Sequence, residues 1–596
     1  MLLDVHGHPP PDRTRVPAYI AALERFDSRV LISELGSRTA GWVHVPEVAH
    51  WRDGNEVVAA LVRAHPQRLL GYCYVNPAHT QEALQEMERR LLGEPAVFAA
   101  LKLWVAVRCA DPRLDPLMEL CAAYDVPVLQ HTWMKVGAAG PGAGNLAGES
   151  TPLDLLALAR RHRRVKFFAG HVGGDWEWGV AAFKQVPNVW LDISGGDATT
   201  GYMALALRQV GAGRIVFGTD IAGRSIPSQL AKVLGVDLPT ADLERILWRN
   251  AADVLGPRLP PSWRQAYGTP GDAAPAPATS AATGAPAAPG TARASGPAPA
   301  PEGEGPSASR GRVPVVPAPG PGGLLDANSF VGEWPSRRLQ QSPAVAGEQL
   351  LADRRRLMER LGIRCAAISL LEGIWLKDAG VANAELFALA GADRERFFPV
   401  YTLNPTFPAW EEHLDRCVQE YGLAPGRGAL RLSPHYHGYT LEAVGADDGC
   451  LRRLAALDLP VFLTWQLEDA RMQHPAMQVP DLDPAAVAAL IGRWPQLRWI
   501  VTGATGVQIQ ATARGLPPAA SVCFDLSRVQ GPVDAVPLLC AAAGSHRLVF
   551  GTNLPLHVPQ APILELADAG LPPETDAALR YGNAQRALGL PAYSSS

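Results

Sequence analysis

The first residues of the chain contain side chains that could bind a metal ion. The opening stretch MLLDVHGHPPP places Asp4, His6 and His8 on alternate positions. Alternate side chains of a β-strand point to the same side of the pleat, so both imidazoles could reach one ion. Imidazole nitrogens and carboxylates are ligands that Zn²⁺ and similar divalent ions accept. The N-terminus therefore predicts a metal site at the end of a strand.

Three further residues with the same chemical capacity lie near the ends of apolar runs. His131 lies in VPVLQHT, His171 in FFAGHVGG and Asp220 in RIVFGTD. With His6 and His8, a shared site could offer several imidazoles and a carboxylate and still leave a coordination position for water or substrate. These residues can share an ion only if the fold brings the ends of distant segments together.

Eight short apolar runs in the first region alternate with amphipathic helical stretches, a rhythm typical of a parallel sheet wrapped by helices. The runs are LLDVH, RVLIS, LLGYCYV, FAALKLWV, VPVLQHT, VKFFAGH, VWLDIS and RIVFGTD. Eight such units form a closed (β/α)8 barrel, in which the C-terminal strand ends converge on one mouth. We therefore predict an α/β fold with His6, His8, His131 and Asp220 at that mouth and His171 beside them.

The length and one biased segment predict the domain organisation. A chain of 596 residues is too long for one hydrophobic core. From Ala273 to Pro301 it contains only Ala, Pro, Thr, Ser, Gly and one Arg, which cannot offset the entropy of ordering. We predict two TIM barrels, over residues 1–259 and 322–596, joined by a disordered Ala/Pro-rich linker over 260–321.

Charge and cysteine usage argue against several classes of function. A net charge of -4 and a pI near 6.4 give no basic surface for nucleic acid or for an anionic membrane. The 8 cysteines form no CxxC pairs, so we expect reduced core residues. No apolar run reaches ~18 residues, and a strand-like run already begins at Leu2. We expect a soluble cytoplasmic protein without a signal peptide.

The second region repeats the first, which indicates an internal duplication. One offset of 333 residues places His131, His171, Asp192, Asp220 and Asn250 opposite Thr464, Ala504, Asp525, Asn553 and Asn583. In GLLDANSFVGEW, Asn328 and Phe330 stand where His6 and His8 do. The replacements bind Zn²⁺ poorly or not at all. We predict a degenerate second barrel without metal ligands that packs against the first barrel or shapes its pocket.

The set formed by DVHGH, QH after the fifth strand, GH after the sixth and GTD on the eighth resembles the amidohydrolase superfamily. It looks most like the amidohydrolase-2 branch, which also contains decarboxylases similar to aminocarboxymuconate-semialdehyde decarboxylase. The resemblance covers residues 1–256. It implies His6, His8, His131 and Asp220 as ligands of one divalent ion, Zn²⁺ or alternatively Mn²⁺ or another ion. It also implies His171 as the catalytic histidine.

A divalent ion bound by these ligands would activate water and a carbonyl group. A bound divalent ion lowers the pKa of a water ligand towards ~7 and polarises a carbonyl. Asp220 could accept the proton of that water, while His171 could stabilise an oxyanion or shuttle a proton. Lys102 lies where some relatives carry a carboxylated lysine that bridges two metals. Binding a substrate carboxylate, supporting a ligand and simple packing inside the barrel are the alternatives for Lys102.

Loops after the strands should set the choice of substrate. The residues predicted to contact it are Lys102, Trp104, Arg108, Trp133 and Arg224. Such aromatic and cationic side chains would suit an aromatic or carboxylated small molecule. His44 is expected to be a surface or structural residue. A separate site in the second barrel would use Arg431, His435, His437, Arg471 and His474.

The sequence leaves three functions open. We expect a metal-dependent hydrolase that acts on a small amide, ester or lactone-like substrate through a metal-activated water. The alternative is a metal-dependent non-oxidative decarboxylase of an aromatic or unsaturated carboxylic acid, because the same residues serve both reactions. A third reading is a non-catalytic scaffold with a structural metal. The expected partner is a small-molecule substrate, with barrel–barrel packing inside the chain; the chain could also form a homo-oligomer.

Overall fold

Two eight-stranded parallel sheets form the protein, each with its strands hydrogen-bonded in chain order. The computed structural model describes residues 1–37, 41–135, 144–268, 323–335, 348–446 and 449–591. Helices connect successive strands on the outside of both sheets. The predicted α/β fold of two TIM barrels is confirmed.

The first barrel uses the eight predicted strands with small shifts at their ends. They span Leu2–Gly7, Ser28–Ile32, Leu69–Tyr74, Phe98–Leu103, Val128–Trp133, Phe167–Gly173, Val189–Asp192 and Ile215–Val216. The first strand closes onto the segment after the eighth, since Val5 N donates to Phe217 O at 3.0 Å and Asp220 N to His6 O at 2.7 Å. Closure therefore brings the two ends of the barrel sequence side by side.

The second barrel has the same plan. Its strands span Leu324–Val331, Ile363–Leu370, Phe397–Thr402, Ala429–Leu432, Pro460–Thr464, Arg498–Thr502, Val522–Asp525 and Leu548–Val549. Closure repeats the first barrel, because Ala327 N donates to Phe550 O at 2.9 Å and Asn553 N to Asn328 O at 2.7 Å.

The α-helices pack around the strands. Those of the first barrel span Val16–Arg25, Val48–Ala64, Thr80–Met87, Asp115–Ala123, Pro152–Arg161, Trp176–Phe183, Tyr202–Val210, Ile226–Leu234, Thr240–Glu244, Asn250–Leu255 and Pro261–Tyr267. Those of the second barrel span Glu348–Leu361, Glu372–Trp375, Ala379–Gly391, Trp410–Gln419, Leu441–Ala446, Gly449–Ala456, Pro484–Arg493, Gly506–Gly515, Ala535–Ala543, Gln560–Asp568, Pro573–Ala577 and Asn583–Leu588. Short π-helical turns at Glu88–Leu92, Arg245–Arg249 and Ala578–Gly582 extend three of them.

Local sequence explains why these elements form where they do. The strands are continuous apolar runs because both of their faces are buried, as in other parallel sheets covered by helices. Helix Pro152–Arg161 begins with a capping box, in which Thr151 and Asp154 satisfy each other's backbone N–H groups, and with a proline in its first turn. Its apolar side chains Leu155, Leu158 and Ala159 then face the barrel.

The first barrel extends further than the sequence predicted. Helix Pro261–Tyr267 lies in the stretch assigned to the linker, yet Trp263 and Tyr267 belong to the first-barrel core. The Tyr267 hydroxyl donates to Leu2 O at 2.7 Å, which ties this helix to the start of the first strand. The boundary at residue 260 was therefore wrong, because two large aromatic side chains there bury apolar area. The rest of the predicted linker lies outside the described residues.

The two barrels contact each other through equivalent surfaces. Helix Ile226–Leu234 packs against helix Gln560–Asp568, and both follow the eighth strand of their own barrel. Backbone hydrogen bonds cross the contact, with Val558 N donating to Ala198 O at 2.7 Å. A buried ion pair joins Arg528 to Asp197 at 3.1 Å. Such a pairing of like surfaces is the geometry of an isologous dimer.

The expectations about cysteines and about membrane-spanning helices can be compared with the described residues. All 8 cysteines are free, and only Cys540 is not fully buried. Within the described ranges, no helix combines the length and apolarity that crossing a lipid bilayer requires.

Candidate functional site

A cavity of about 190 Å³ lies at the C-terminal strand ends of the first barrel. Its ionisable side chains are His6, His8, His44, Lys102, His131, Lys135, Glu149, His171, Asp220 and Arg471. Three indoles, those of Trp42, Trp104 and Trp133, line it as well. The cavity therefore combines metal-ligating, acidic, basic and aromatic groups at the face where TIM barrels carry their active sites.

A larger cavity of about 1310 Å³ lies at the opposite, N-terminal end of the second barrel. Its wall includes Arg364, Arg394, Arg396 and Tyr421. Among the described residues, neither of the two groups of side chains able to hold a metal lies there. We assign the chemistry to the smaller cavity because donor atoms converge in it.

His6, His8 and Asp220 bring their donor atoms within 4.8 Å of one another. The two histidines come from the first strand and Asp220 follows the eighth, so barrel closure creates the cluster. His8 Nε2 lies 3.4 Å from Asp220 Oδ1. The structure therefore brings together three of the four predicted metal ligands.

The hydrogen bonds of the imidazoles direct lone pairs towards the cluster. His6 Nδ1 lies 2.7 Å from Asp192 Oδ2, and His8 Nδ1 lies 2.7 Å from Ser33 O. Because the Ser33 carbonyl only accepts, His8 Nδ1 must carry the proton, and we assign the same tautomer to His6, with Nδ1 donating to the Asp192 carboxylate. The Nε2 atoms are then left as acceptors, which is the form that ligates metal ions. This donor set fits a divalent ion.

Charges around the cluster keep Asp220 ionised. Burial by itself would raise the pKa of Asp220, but the neighbouring imidazoles of His8, His171 and His6 hold that pKa well below its usual value. Burial, followed by the charge of Lys102, lowers the pKa of the His6 imidazole. At neutral pH the cluster therefore contains a carboxylate beside a neutral His6.

Lys102 lies inside the barrel with no exposed surface. Its Nζ is 2.9 Å from His6 Nε2, the nitrogen that faces the cluster. Burial lowers the pKa of Lys102 to about 8. Lys102 therefore lies directly beside the candidate ligands, at the floor of the cavity.

His131, the fourth predicted ligand, lies in the same cavity but outside the cluster of three. Its Nε2 is 3.2 Å from Glu149 Oε1, and Lys135 Nζ donates to Glu149 Oε2 at 2.9 Å. Burial would raise the pKa of Glu149, but these two hydrogen bonds lower it to about 2. His131 thus donates Nε2–H to a carboxylate and keeps Nδ1 as its acceptor. Its role as a ligand stays a prediction.

His171 lies between the other imidazoles. Its ring centroid is 4.6 Å from that of His6 and 4.9 Å from that of His131. His171 Nδ1 is 3.2 Å from Ser194 O, so this nitrogen donates and Nε2 remains an acceptor. Burial, and then the charge of His6, lower the pKa of His171. A Cβ on Gly195 would lie 2.3 Å from His171 Nδ1, so this glycine makes room for the ring.

The predicted substrate contacts divide into two groups. Lys102, Trp104 and Trp133 line the cavity. Arg108 does not, since it is exposed and pairs with Asp154 at 3.2 Å. Arg224 does not either, because it lies towards the second barrel, 3.8 Å from Asp197. Contrary to the prediction, the structure therefore places Arg108 and Arg224 outside the cavity lining, each paired with a carboxylate.

The sequence reasoning missed several residues of the site. Trp42 is brought in by a small hairpin, Gly36–Ser37 with Gly41–Trp42, and its ring lies 5.0 Å from that of His8. His44, which we expected at the surface, lines the cavity with its ring 5.2 Å from Trp104. Glu149 lies on a loop after the fifth strand. The only signal for these residues was their position after a strand, which many other residues share.

In the second barrel, the equivalent interior positions surround an arginine. Arg431, the counterpart of Lys102, is fully buried. Its guanidinium donates to Ser369 Oγ at 2.8 Å, to Thr464 Oγ1 and Thr502 Oγ1 at 3.0 Å each, and to Asn328 Oδ1 at 3.3 Å. Its Cζ also lies 4.5 Å from the centre of the Phe330 ring. The counterparts of His6, His8 and His131 thus bind a guanidinium.

The structure does not bring the predicted second-barrel site together. His435 Nδ1 contacts Pro480 O at 2.7 Å and His437 Nε2 contacts Gly373 O at 2.9 Å. His474 is exposed and accepts from Ala476 N at 3.2 Å. His435 and His437 therefore tie their loop to two other segments, and His474 caps its own turn. Arg431 is buried in the barrel interior, and Arg471 lines the cavity of the first barrel.

Comparisons with known proteins agree with the geometry. The profile of a family described as amidohydrolase matches residues 3–256 and 333–590. No curated protein matches the chain in sequence. One similar solved structure is 2,6-dihydroxybenzoate decarboxylase from Rhizobium, with 16% identity and a TM-score of 0.35 over 43% of this chain and 98% of that chain. A second is 5-carboxyvanillate decarboxylase from Sphingomonas paucimobilis, with 15% identity and a TM-score of 0.32 over 43% of this chain and 98% of that chain. A third is 4-oxalomesaconate hydratase from Rhodopseudomonas palustris, with 14% identity and a TM-score of 0.33 over 44% of this chain and 95% of that chain. Because the two stretches matched by the profile together span more than half of the chain, the protein belongs to the amidohydrolase family and carries the barrel of that family as a tandem duplication.

Proposed function

We propose that the first barrel is a metal-dependent hydrolase of a small amide, ester or lactone-like substrate. The observation that supports it is the cluster of His6, His8 and Asp220, whose donor atoms lie within 4.8 Å of one another at the mouth of the barrel. Both histidines present Nε2 lone pairs and Asp220 presents a carboxylate. Lys102 Nζ lies 2.9 Å from one of these acceptors, His6 Nε2, and a divalent ion would offset the cost of burying the set as a whole.

The residues that would hold the ion are His6, His8 and Asp220, with His131 as a fourth ligand. Imidazole and carboxylate ligands suit Zn²⁺, and Mn²⁺ is the alternative. When bound, such an ion supplies a Lewis acid that polarises a carbonyl and acidifies water. The protein supplies the fixed orientation of the ligands, through Asp192 on His6 and Ser33 on His8.

The chain's own side chains then carry the protons. Asp220 is a carboxylate at neutral pH and takes a proton from the attacking water, whose oxygen forms a bond to the carbonyl carbon. The bond from that carbon to nitrogen or oxygen breaks, and the leaving group takes up a proton. His171, held by Ser194 through Nδ1, uses Nε2 to relay that proton. The three tryptophans of the wall limit the access of bulk water.

Decarboxylation is the second candidate function, and the composition of the wall favours it. Lys102, Lys135 and Arg471 together with the indoles of Trp104 and Trp133 suit an aromatic carboxylate. In that reaction the bond between the ring carbon and the carboxylate breaks, CO2 leaves, and the ring carbon takes a proton from protonated His171 or Asp220. The same residues would serve, so only the products distinguish the two reactions.

The test is product analysis with the full-length protein reconstituted with Zn²⁺ or Mn²⁺. A panel of aryl esters, amides, lactones and arylcarboxylates is incubated in ¹⁸O-labelled water. We expect ¹⁸O in the acid product and no CO2. Release of CO2 without incorporation of ¹⁸O into the product would show that the reaction is decarboxylation and not hydrolysis. If no compound of the panel is turned over and His171→Ala leaves ligand binding unchanged, the remaining interpretation is a non-catalytic scaffold with a structural metal.

A further inference from the structure

The second barrel contributes a loop to the cavity of the first barrel. This loop follows the strand Pro460–Thr464, and its residues Arg471 and Met472 reach the neighbouring barrel. Met472 packs against the first-barrel core, beside Gly196. The mouth of the first barrel is therefore built by both halves of the chain.

Arg471 lies over an aromatic wall of the cavity. Its guanidinium carbon is 4.2 Å from the centre of the Trp133 ring. Trp133 is only 3% exposed, and its ring centroid lies 5.3 Å from that of His171. The Trp133 indole therefore lies between the Arg471 guanidinium and His171, the candidate catalytic histidine. This spacing suits a ligand that contacts both the guanidinium and the imidazole.

The guanidinium of Arg471 keeps donor capacity beyond its pairing with Asp469. Asp469 accepts from Arg471 Nε at 3.0 Å and from Nη2 at 2.6 Å. Over the described part of the chain, Nη1 makes no hydrogen bond, and the side chain is 41% exposed. Asp469 thus fixes the orientation of the guanidinium and leaves a charged donor for a ligand.

The other acids near the cavity act on Arg471 only through their charge, and Asp197 among them is paired with Arg528 at 3.1 Å. The carboxylate of Glu149 is taken by Lys135 at 2.9 Å, and Asp220 is directed to His8 at 3.4 Å. Neither acid is among the hydrogen-bond partners of Arg471. A planar carboxylate matches the fork of a guanidinium, and an unsaturated body attached to it matches the face of an indole.

We propose that Arg471, supplied by the second barrel, is a specificity residue of the first-barrel site and binds a carboxylate of an aromatic or unsaturated substrate. The proposal rests on the proposed function only in taking this cavity as the substrate site. It gives the metal-free barrel a role in substrate choice. An arginine that serves only barrel–barrel packing would stabilise the contact without discriminating charged from neutral ligands.

The test compares a charged probe with a neutral probe of the same shape. Benzoate and benzamide are titrated by calorimetry into the full-length, metal-loaded protein. We expect benzoate to bind ~10-fold more tightly than benzamide, because a charge-assisted hydrogen bond contributes about that much binding free energy. Arg471→Gln should bring the ratio close to ~1 by weakening benzoate alone, and Arg471→Lys should restore part of it. Arg514→Gln, at an exposed arginine of the second barrel, is the matched control and should keep the ratio of the unmodified protein.

Three outcomes would overturn the proposal. The first is a benzoate preference that persists in Arg471→Gln, which would assign the carboxylate to other groups. The second is an equal loss for both probes, which would mean that Arg471 only shapes or packs the site. The third is no benzoate preference in the unmodified protein, including no binding. Because binding is the readout, these results are independent of whether ¹⁸O or CO2 identifies the reaction.

Discussion

The two barrels share a fold but fill the same interior positions in opposite ways. In the second barrel, hydroxyl and amide oxygens surround the guanidinium of Arg431, so the donors and acceptors match without an ion. In the first barrel, His6, His8 and Asp220 turn acceptors towards one another. The second barrel therefore has the same fold without such a cluster among its described residues, and we propose that the cluster of the first barrel serves chemistry.

Backbone geometry separates what the fold needs from what the site needs. Asp220 has a φ of +63° and its counterpart Asn553 has +53°, so this left-handed conformation belongs to the closure of both barrels. His171 has a φ of +62°, whereas its counterpart Ala504 is not among the residues of positive φ. Strain at a non-glycine residue is retained where the surroundings demand it. The position of the His171 ring is thus specific to the first barrel.

The largest expected effect comes from changing the polar residue after the eighth strand in each barrel, which is Asp220 in the first barrel and Asn553 in the second. Asp220→Asn should lower kcat/KM by ~10³-fold or more, because it removes a ligand and the proton acceptor together. Asn553→Ala, the matched change in the second barrel, should leave kcat/KM within about twofold. Steady-state kinetics of both variants make the comparison. Equal losses in both would show that the second barrel is catalytic too.

Removing His171, the proposed catalytic histidine, should give a somewhat smaller effect. His171→Asn should lower kcat by ~10² to 10⁴-fold, the range of a positioned acid or base. Metal content should stay unchanged, because His171 is outside the proposed ligand set. Kinetics and elemental analysis on the same samples check both parts. Loss of the metal in His171→Asn would move this residue into the ligand set.

The interior cations of the two barrels should differ in their effect on stability. Arg431→Met should destabilise the second barrel by ~2 to 3 kcal/mol, because it removes a charged donor of several buried hydrogen bonds. Lys102→Met should change the stability of the first barrel by about 1 kcal/mol or less, since among the described residues Lys102 Nζ makes a hydrogen bond to His6 Nε2 alone. Calorimetric unfolding of the full chain measures both. A larger loss for Lys102→Met would contradict this contrast.

The smallest effect concerns the paired helices at the barrel contact, where Lys232 and Glu565 occupy equivalent positions. Burial raises the pKa of Glu565 to about 8. Between the usual pKa of a glutamate and about pH 8, the folded state keeps the proton of Glu565 while the unfolded state has released it. The free energy of unfolding therefore falls as the pH rises towards 8. Glu565→Gln should unfold a few degrees higher than the unmodified protein at pH 9 and about equally at pH 5. Glu574→Gln, at an exposed glutamate, is the control, and a pH-independent difference for Glu565→Gln would refute the assignment.

Much of the fold could be predicted because its signals are local. Apolar runs at regular intervals identified all the strands of the first barrel, and the strand ends identified the cluster of His6, His8 and Asp220. The helix Pro261–Tyr267 was missed because it follows the last barrel repeat and lies at the edge of a biased segment. Its burial depends on contact with Leu2, at the far end of the sequence.

The remainder of the site depends on long-range packing. Glu149, Trp42 and His44 lie on loops whose paths are not encoded by periodicity. Arg471 could be placed after a strand of the second barrel, but the sequence could not show that it faces the neighbouring cavity. That placement depends on how the helices Ile226–Leu234 and Gln560–Asp568 pair. Arg108 and Arg224 illustrate the same limit, since each pairs with a carboxylate and does not line the cavity.

The central claim is that one barrel of the pair holds a metal ion and the other does not. Elemental analysis of the full-length protein, expressed with Zn²⁺ and Mn²⁺ supplied and then dialysed, tests it most directly. We predict about one divalent ion per chain, and almost none in the His6→Ala/His8→Ala double variant. Two ions per chain, or an unchanged ion content in the double variant, would contradict the claim.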